Sequence, residues 1–331
     1  MINERQIAIT VITGYLGSGK TTLLNHMLSK NEGAKIAVIV NEFGEMSIDA
    51  KLLVKHSDEQ LIEFNNGCLC CTVRGDLIDT INQLRQRTND IDYIIIETTG
   101  LADPAPVAST FFVSDDISRC TQLDAFIAVV DAVNIDKNLA SSTEANEQIA
   151  FSDIIILNKA DLVTPERLQQ VRQRIRTLNP LAHIHVSEFG RVDIAQLMNT
   201  RGFSLTEKLK IEPDLLTDHT HEHDQSISTL VLRERSPLDI NRFMSWMTTL
   251  LEVQGDKMIR TKGLLNAKGF AEPVVFQSVR MLTALNQLNG WPEKTERASE
   301  LVVIGKDLNP DLLKTEFSHC VYTPRQGVKL L

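Results

Sequence analysis

Gly14-Tyr15-Leu16-Gly17-Ser18-Gly19-Lys20-Thr21 is the stretch that decides the fold. It meets G-x-x-x-x-G-K-T at every fixed position, follows the apolar run of residues 7–13, and opens the helical pattern of residues 21–28. Strand, glycine-rich turn and helix in that order make a phosphate cradle. The turn's backbone N–H groups point at phosphate oxygens, and the helix start adds positive potential. Gly14, Gly17 and Gly19 allow close backbone approach. Lys20 is suited to bridge the β and γ phosphates and Thr21 to hold Mg²⁺, with Ser18 and Thr22 completing the phosphate set.

Outward from this loop, β-branched runs alternate with helical patterns up to about residue 200. Strands are expected at 7–12, 36–40, 60–64, 93–97, 124–130, 154–157 and 183–186, and helices at 21–28, 76–87 and 165–178. The last helix has Thr164 as N-cap and Pro165 at its first position. Several strands are apolar almost throughout, as covering on both faces requires. The fold class is therefore α/β, a P-loop NTPase with a mostly parallel sheet flanked by helices. A polar stretch with three histidines, 213–226, reads as a linker. Strands at 228–232, 258–265, 273–279 and 300–304 and helices at 238–251 and 310–316 then form a smaller α+β domain. The expected division is residues 1–212, linker 213–226, and 227–331.

Two further segments complete a nucleotide site. The apolar strand 93–97 ends in Glu97, with Gly100 three residues on. Glu97 is placed to orient the Mg²⁺ shell or a water, and the Gly100 N–H to meet a γ-phosphate. Asn158-Lys159-Ala160-Asp161 matches N-K-x-D at the end of a strand. Asp161 can accept hydrogen bonds from guanine N1 and N2, where adenine offers no such pair, and discrimination follows from the unpaired carboxylate left by the wrong base. Asn158 would tie the base loop to the phosphate loop, and the Lys159 stem would lie along the base. Ser187, after the next strand, is a candidate backbone contact to the base.

Asn65-Asn66-Gly67-Cys68-Leu69-Cys70-Cys71 places three thiols within four residues. That density suits a borderline cation such as Zn²⁺, and three thiols leave a tetrahedral site needing a further ligand. Glu42 and Glu45, in the loop after strand 36–40, are candidates to complete it or the Mg²⁺ shell. His219, His221 and His223 in the linker are auxiliary candidates. Cys120 reads as a small buried hydrophobe, and His319-Cys320 as packing rather than ligation.

The chain has 331 residues, 43% of them hydrophobic, and a formal net charge of −9. This diffuse acidic balance argues against a nucleic-acid partner. No run approaches the roughly 18 apolar residues of a membrane helix. Residues 1–6 do not read as the start of a signal peptide. Five cysteines, three of them clustered, do not form a disulfide framework, and a cytoplasmic location is the expectation.

Together these residues resemble the CobW-type, SIMIBI-class P-loop GTPases, a family that includes metallochaperones and activators of metal enzymes. The segments carrying the resemblance are the phosphate loop, Asn41-Glu42-Phe43-Gly44-Glu45, Gly67-Cys68-Leu69-Cys70-Cys71, the run from Glu97 to Pro104, and Asn158 to Asp161. The C-terminal part, with Arg260-Thr261-Lys262-Gly263, is similar to the family's smaller domain. The resemblance implies GTP hydrolysis coupled to binding of Zn²⁺, or Co²⁺ in some branches, with delivery to a client metalloprotein. It makes Cys68, Cys70 and Cys71 the internal metal motif, gives Lys20, Thr21 and Glu97 the phosphate and Mg²⁺ roles, and lets Asn158 and Asp161 read guanine. Some relatives carry a glutamate ligand where this chain has Val40. A low intrinsic rate is expected, because no arginine finger is evident in cis. Nucleotide- or metal-dependent self-association stays open, as do two rivals: a nucleotide-gated zinc reservoir or sensor without delivery, and a P-loop small-molecule kinase. The N-K-A-D segment speaks against the kinase.

Overall fold

The computed structural model describes residues 6–31, 33–41, 60–64, 72–87, 91–113, 115–200, 227–287, 290–291 and 297–323. Two units divide the chain, residues 1–204 and 205–331. In the first, β1 (Ile7–Thr13), β2 (Ile36–Asn41), β3 (Gln60–Phe64), β4 (Tyr93–Glu97), β5 (Thr121–Asp131), β6 (Ile154–Asn158) and β7 (His183–Val186) form one sheet in the order β3-β2-β4-β1-β5-β6-β7. Every pairing in it is parallel. Helices α1 (Lys20–Ser29), α2 (Thr72–Arg87), α3 (Pro104–Val113), α4 (Asp115–Cys120), α5 (Ile135–Ser141), α6 (Thr143–Phe151) and α7 (Pro165–Leu178) connect them.

Side chains alternate across a strand, so an apolar strand feeds two cores at once. On β5, Ala125, Ile127 and Val129 pack with Leu23, Leu24 and Met27 of α1. Their neighbours Ala128 and Val130 pack on the other face with Ile149 of α6 and Val171 and Ile175 of α7. Ile154 and Ile156 of β6 divide from Ile155 and Leu157 in the same way. β1 lies between β4 and β5, where the winding of the chain reverses direction, and ligands of open α/β sheets sit beyond the strand ends at that point. Toward the other end of the strands, the buried Tyr93 hydroxyl donates to Asp124, and Thr10 lies 2.7 Å from the same hydroxyl. Burial and the facing carboxylate push the Tyr93 phenol well above its ordinary value, so it stays a donor.

The structure lengthens β5 by three residues at its start and α2 by four, and adds helices α3 to α6, which the sequence pattern did not declare. The second unit is a five-stranded antiparallel sheet in the order β11-β10-β9-β12-β8, from β8 (Ile227–Glu234), β9 (Met258–Leu265), β10 (Val274–Val279), β11 (Leu282–Gln287) and β12 (Ser299–Lys306). Helices α8 (Ile240–Gln254) and α9 (Pro310–His319) pack on it around Phe243, which meets Phe276 edge to face at 5.1 Å. β11 was not anticipated. It pairs with β10 through Arg280 and Met281, with Arg280 at φ 50°, a turn without the usual asparagine or glycine signal. Cys320 is buried in this core, where burial and nearby Glu316 push its thiol up to about 11. Such a thiol is a poor source of thiolate at neutral pH. Among the described residues, no helix is long and apolar enough to cross a membrane.

Candidate nucleotide site

The glycine-rich loop joins β1 to α1 at the reversal point of the sheet. Two of its glycines are required by close packing. A Cβ on Gly14, at φ 142°, would stand 2.3 Å from Val129 O, and one on Gly19, at φ 106°, would stand 2.4 Å from Asn158 Nδ2. Gly19 is the N-cap of α1 and offers no side chain to the first-turn N–H groups, the arrangement that suits an anion. Lys20 is buried, and its Nζ donates to Gly14 O at 3.0 Å and reaches Tyr15 O at 3.5 Å, so the ammonium already spans the loop. Gly17 is exposed at the crest, Ser18 is buried beneath it, and Thr22 is exposed on the first turn of the helix.

Thr21 Oγ1 donates to Glu97 Oε1 at 3.0 Å, which joins the start of α1 to the end of β4. Two hard oxygens at this separation fit Mg²⁺, which takes a few protein oxygens and keeps its remaining ligands from phosphate and water. Past Glu97, the Thr98 N–H donates to Ile12 O at 2.9 Å and keeps the chain against β1. Gly100 then abuts the phosphate loop; a Cβ there would stand 2.6 Å from Leu16 Cδ2. Buried Gln148 of α6 donates to both Gly100 O, at 3.2 Å, and Ala102 O, at 3.1 Å.

The N-K-A-D segment lies at the end of β6. Asn158 is buried and uses both ends of its amide: Nδ2 donates to Ser18 O at 3.0 Å, and Oδ1 accepts from the Gly190 N–H at 3.0 Å. It therefore clamps the phosphate loop to the loop after β7. Lys159 takes a left-handed backbone, φ 60°, and its ammonium lies 2.7 Å from Asp131 Oδ2. Burial alone would raise the Asp131 carboxyl, but hydrogen bonds from Lys159, Asn134 and the Val133 N–H hold it below its ordinary value. Asp161 stands in a 3₁₀ turn, Ala160–Leu162, and is exposed to solvent. Ser187 is buried, and its carbonyl accepts from the Ala160 N–H at 3.2 Å, which ties the end of β7 to the start of the 3₁₀ turn.

The structure thus gathers Gly14 to Thr22, Glu97, Gly100, Asn158, Lys159, Asp161 and Ser187 along one end of the sheet. Glu42, Glu45, Cys68, Cys70, Cys71, His219, His221 and His223 lie outside the described residues. Val40, where some relatives place a glutamate, is buried in the core with Val38 and Ile95. Among the described residues, no group of three or more His, Cys, Asp or Glu side chains could hold a metal ion. Sequence reasoning missed Asp131 and Gln148. The first carried a signal, an acid closing the apolar run Val129-Val130; the second carried none.

The sequence profile described as "CobW/HypB/UreG, nucleotide-binding domain" matches residues 8–186, and "Cobalamin synthesis protein cobW C-terminal domain" matches residues 227–321. The chain is 34% identical over 316 residues to the zinc chaperone YjiA of Escherichia coli, spanning 94% of this chain and 98% of that one. It is 30% identical to the zinc-regulated GTPase metalloprotein activator 1 of Schizosaccharomyces pombe, over 92% of this chain and 83% of that one. The crystal structure of Zn(II)-bound YjiA GTPase from E. coli superposes with a TM-score of 0.75 at 29% identity, covering 96% of this chain and all of that one. Two domain profiles in order, a full-length relative and a matching fold agree with the loop geometry: the chain belongs to the CobW family of P-loop GTPases.

Proposed function

We propose that this protein hydrolyses GTP slowly and uses the nucleotide to govern binding of Zn²⁺, or Co²⁺, and its delivery to a client metalloprotein. The observation that carries the nucleotide half is the Asn158 clamp, which ties the N-K-A-D segment to the phosphate loop through Ser18 O and to the loop after β7 through the Gly190 N–H, each at 3.0 Å. The metal half is supported by the names of the relatives, zinc chaperone and zinc-regulated GTPase activator, and by Cys68, Cys70 and Cys71. On this reading Lys20 leaves Gly14 O for the phosphates, and Thr21 with Glu97 would hold Mg²⁺, which would supply charge neutralisation at the phosphates. The Gly100 turn, secured by Gln148, meets the γ-phosphate and registers its loss. Metal occupancy responds through differential contacts in the two nucleotide states.

Zn²⁺ affinity measured with a non-hydrolysable GTP analogue and with GDP tests the coupling; a clear difference is expected, and equal affinities would sink it. Asp161→Asn assayed with GTP and XTP tests the base reading, with preference moving toward XTP. A Lys20→Ala variant that still charges its client would show that delivery does not need the nucleotide.

A further inference from the structure

The loop after β7 turns at Glu188-Phe189-Gly190-Arg191, closed by the Arg191 N–H donating to Glu188 O at 3.0 Å. Its central residues, Phe189 and Gly190, have φ of 53° and 69°, the mark of a type I′ turn. Asn-Gly fills such a turn at least cost, because both positions are left-handed. Phenylalanine is a poor choice for the first of them. Its ring is 64% exposed, so core packing does not account for it either.

What the turn is attached to suggests the reason. The Ala160 N–H donates to Ser187 O on one side of Phe189, and the Gly190 N–H donates to Asn158 Oδ1 on the other. Both partners belong to the base-reading segment. A Cβ on Gly190 would stand 2.9 Å from Leu23 N, so the turn is also seated on the first turns of α1. The Arg191 guanidinium carbon lies 6.0 Å from the ring centre, the reach of a cation–π contact that restrains the ring. An unfavourable backbone therefore holds an exposed, restrained aromatic beside Asn158 and Ala160.

We propose that Phe189 is a base-binding residue of the nucleotide site, its ring the surface on which the purine of a nucleoside di- or triphosphate stacks. This rests on the guanine-nucleotide reading above. Asp161 meets the edge of the base, and a flat ring adds affinity for its face.

Phe189→Asn and Phe189→Trp should be compared with wild type for binding of GDP and of inorganic tripolyphosphate, which has phosphates and no base. Phe189→Asn should weaken GDP binding roughly five- to hundredfold and leave tripolyphosphate within about twofold. It should also keep or raise the thermal midpoint, because asparagine suits the turn. Phe189→Trp should hold GDP affinity near wild type. Unchanged GDP affinity in Phe189→Asn overturns the proposal. Equal loss of GDP and tripolyphosphate overturns it too, because the turn and not the ring would then matter. Wild-type protein that binds tripolyphosphate as tightly as GDP would overturn the underlying nucleotide reading itself, a result separable from the other two.

Discussion

Replacing Asn158 by alanine removes a side chain whose two polar ends hold two buried backbone groups. Ser18 O loses its 3.0 Å donor and the Gly190 N–H its 3.0 Å acceptor. Ser18 is 1% exposed and Asn158 3%, so bulk water does not readily replace either bond. A stranded buried group costs about 1 to 3 kcal/mol, and partial relaxation puts the pair near 3 kcal/mol. For a unit of this size that lowers the thermal midpoint by about 10 °C. Both tryptophans, Trp246 and Trp291, lie in the second unit, so unfolding of the first must be followed by far-UV circular dichroism or hydrogen exchange rather than by tryptophan emission. Affinity for GDP and for tripolyphosphate should fall together, since the clamp serves both loops. Asn158→Asp keeps the acceptor for Gly190 but turns an oxygen toward Ser18 O. Its carboxyl pKa in the folded state should be raised, so its deficit should shrink as pH falls and the protonated form donates. A loss below 1 kcal/mol in Asn158→Ala, or loss of GDP affinity with tripolyphosphate binding intact, would refute the clamp.

Asp131→Asn should weaken guanine-nucleotide binding several-fold by releasing Lys159. It should also remove a pH dependence. The folded-state pKa of Asp131 is lowered, so its contribution to stability is present above the unfolded value near 4 and lost as pH falls through the folded value. The stability profiles of wild type and variant should differ above that window and converge below it. Gln148→Leu strands the carbonyls of Gly100 and Ala102 at a cost of about 2 kcal/mol, and should lower kcat for GTP more than it raises KM; equal changes would assign the residue to folding alone. Gly14→Ala cannot place its Cβ 2.3 Å from Val129 O, so nucleotide affinity should fall at least tenfold by equilibrium titration; retained affinity would refute the close packing.

The parts that sequence made legible are those where one residue type has one use. Glycines before Lys20-Thr21 let the backbone pack against Val129 and Asn158, and an asparagine after an apolar strand ties that strand's end to the phosphate loop. The seven parallel strands were equally plain, because double-sided burial leaves unbroken apolar runs such as Tyr93-Ile94-Ile95-Ile96. Helix α3 was not, since Pro104-Ala-Pro-Val-Ala-Ser-Thr-Phe-Phe-Val113 is apolar on most sides and has no clear helical period. β11 escaped because Arg280-Met281 gives no turn signal. Gln148 and Asp131 act through partners 46 and 28 residues away in sequence, and no local pattern encodes such a meeting.

β1 divides the first sheet into two halves with different duties. The β4 side supplies Glu97 and the Gly100 turn, and the β5 side supplies Asp131, Asn158, Asp161 and Ser187. On the proposed reading, a bound nucleotide would touch both and work as a keystone, resisting any sliding of one half past the other along β1. Release of the terminal phosphate would remove one abutment while the base end stays wedged. The molecule would then be mechanically softer on the β4 side alone, and hydrogen exchange along β4 and β2 should quicken there before it changes along β6.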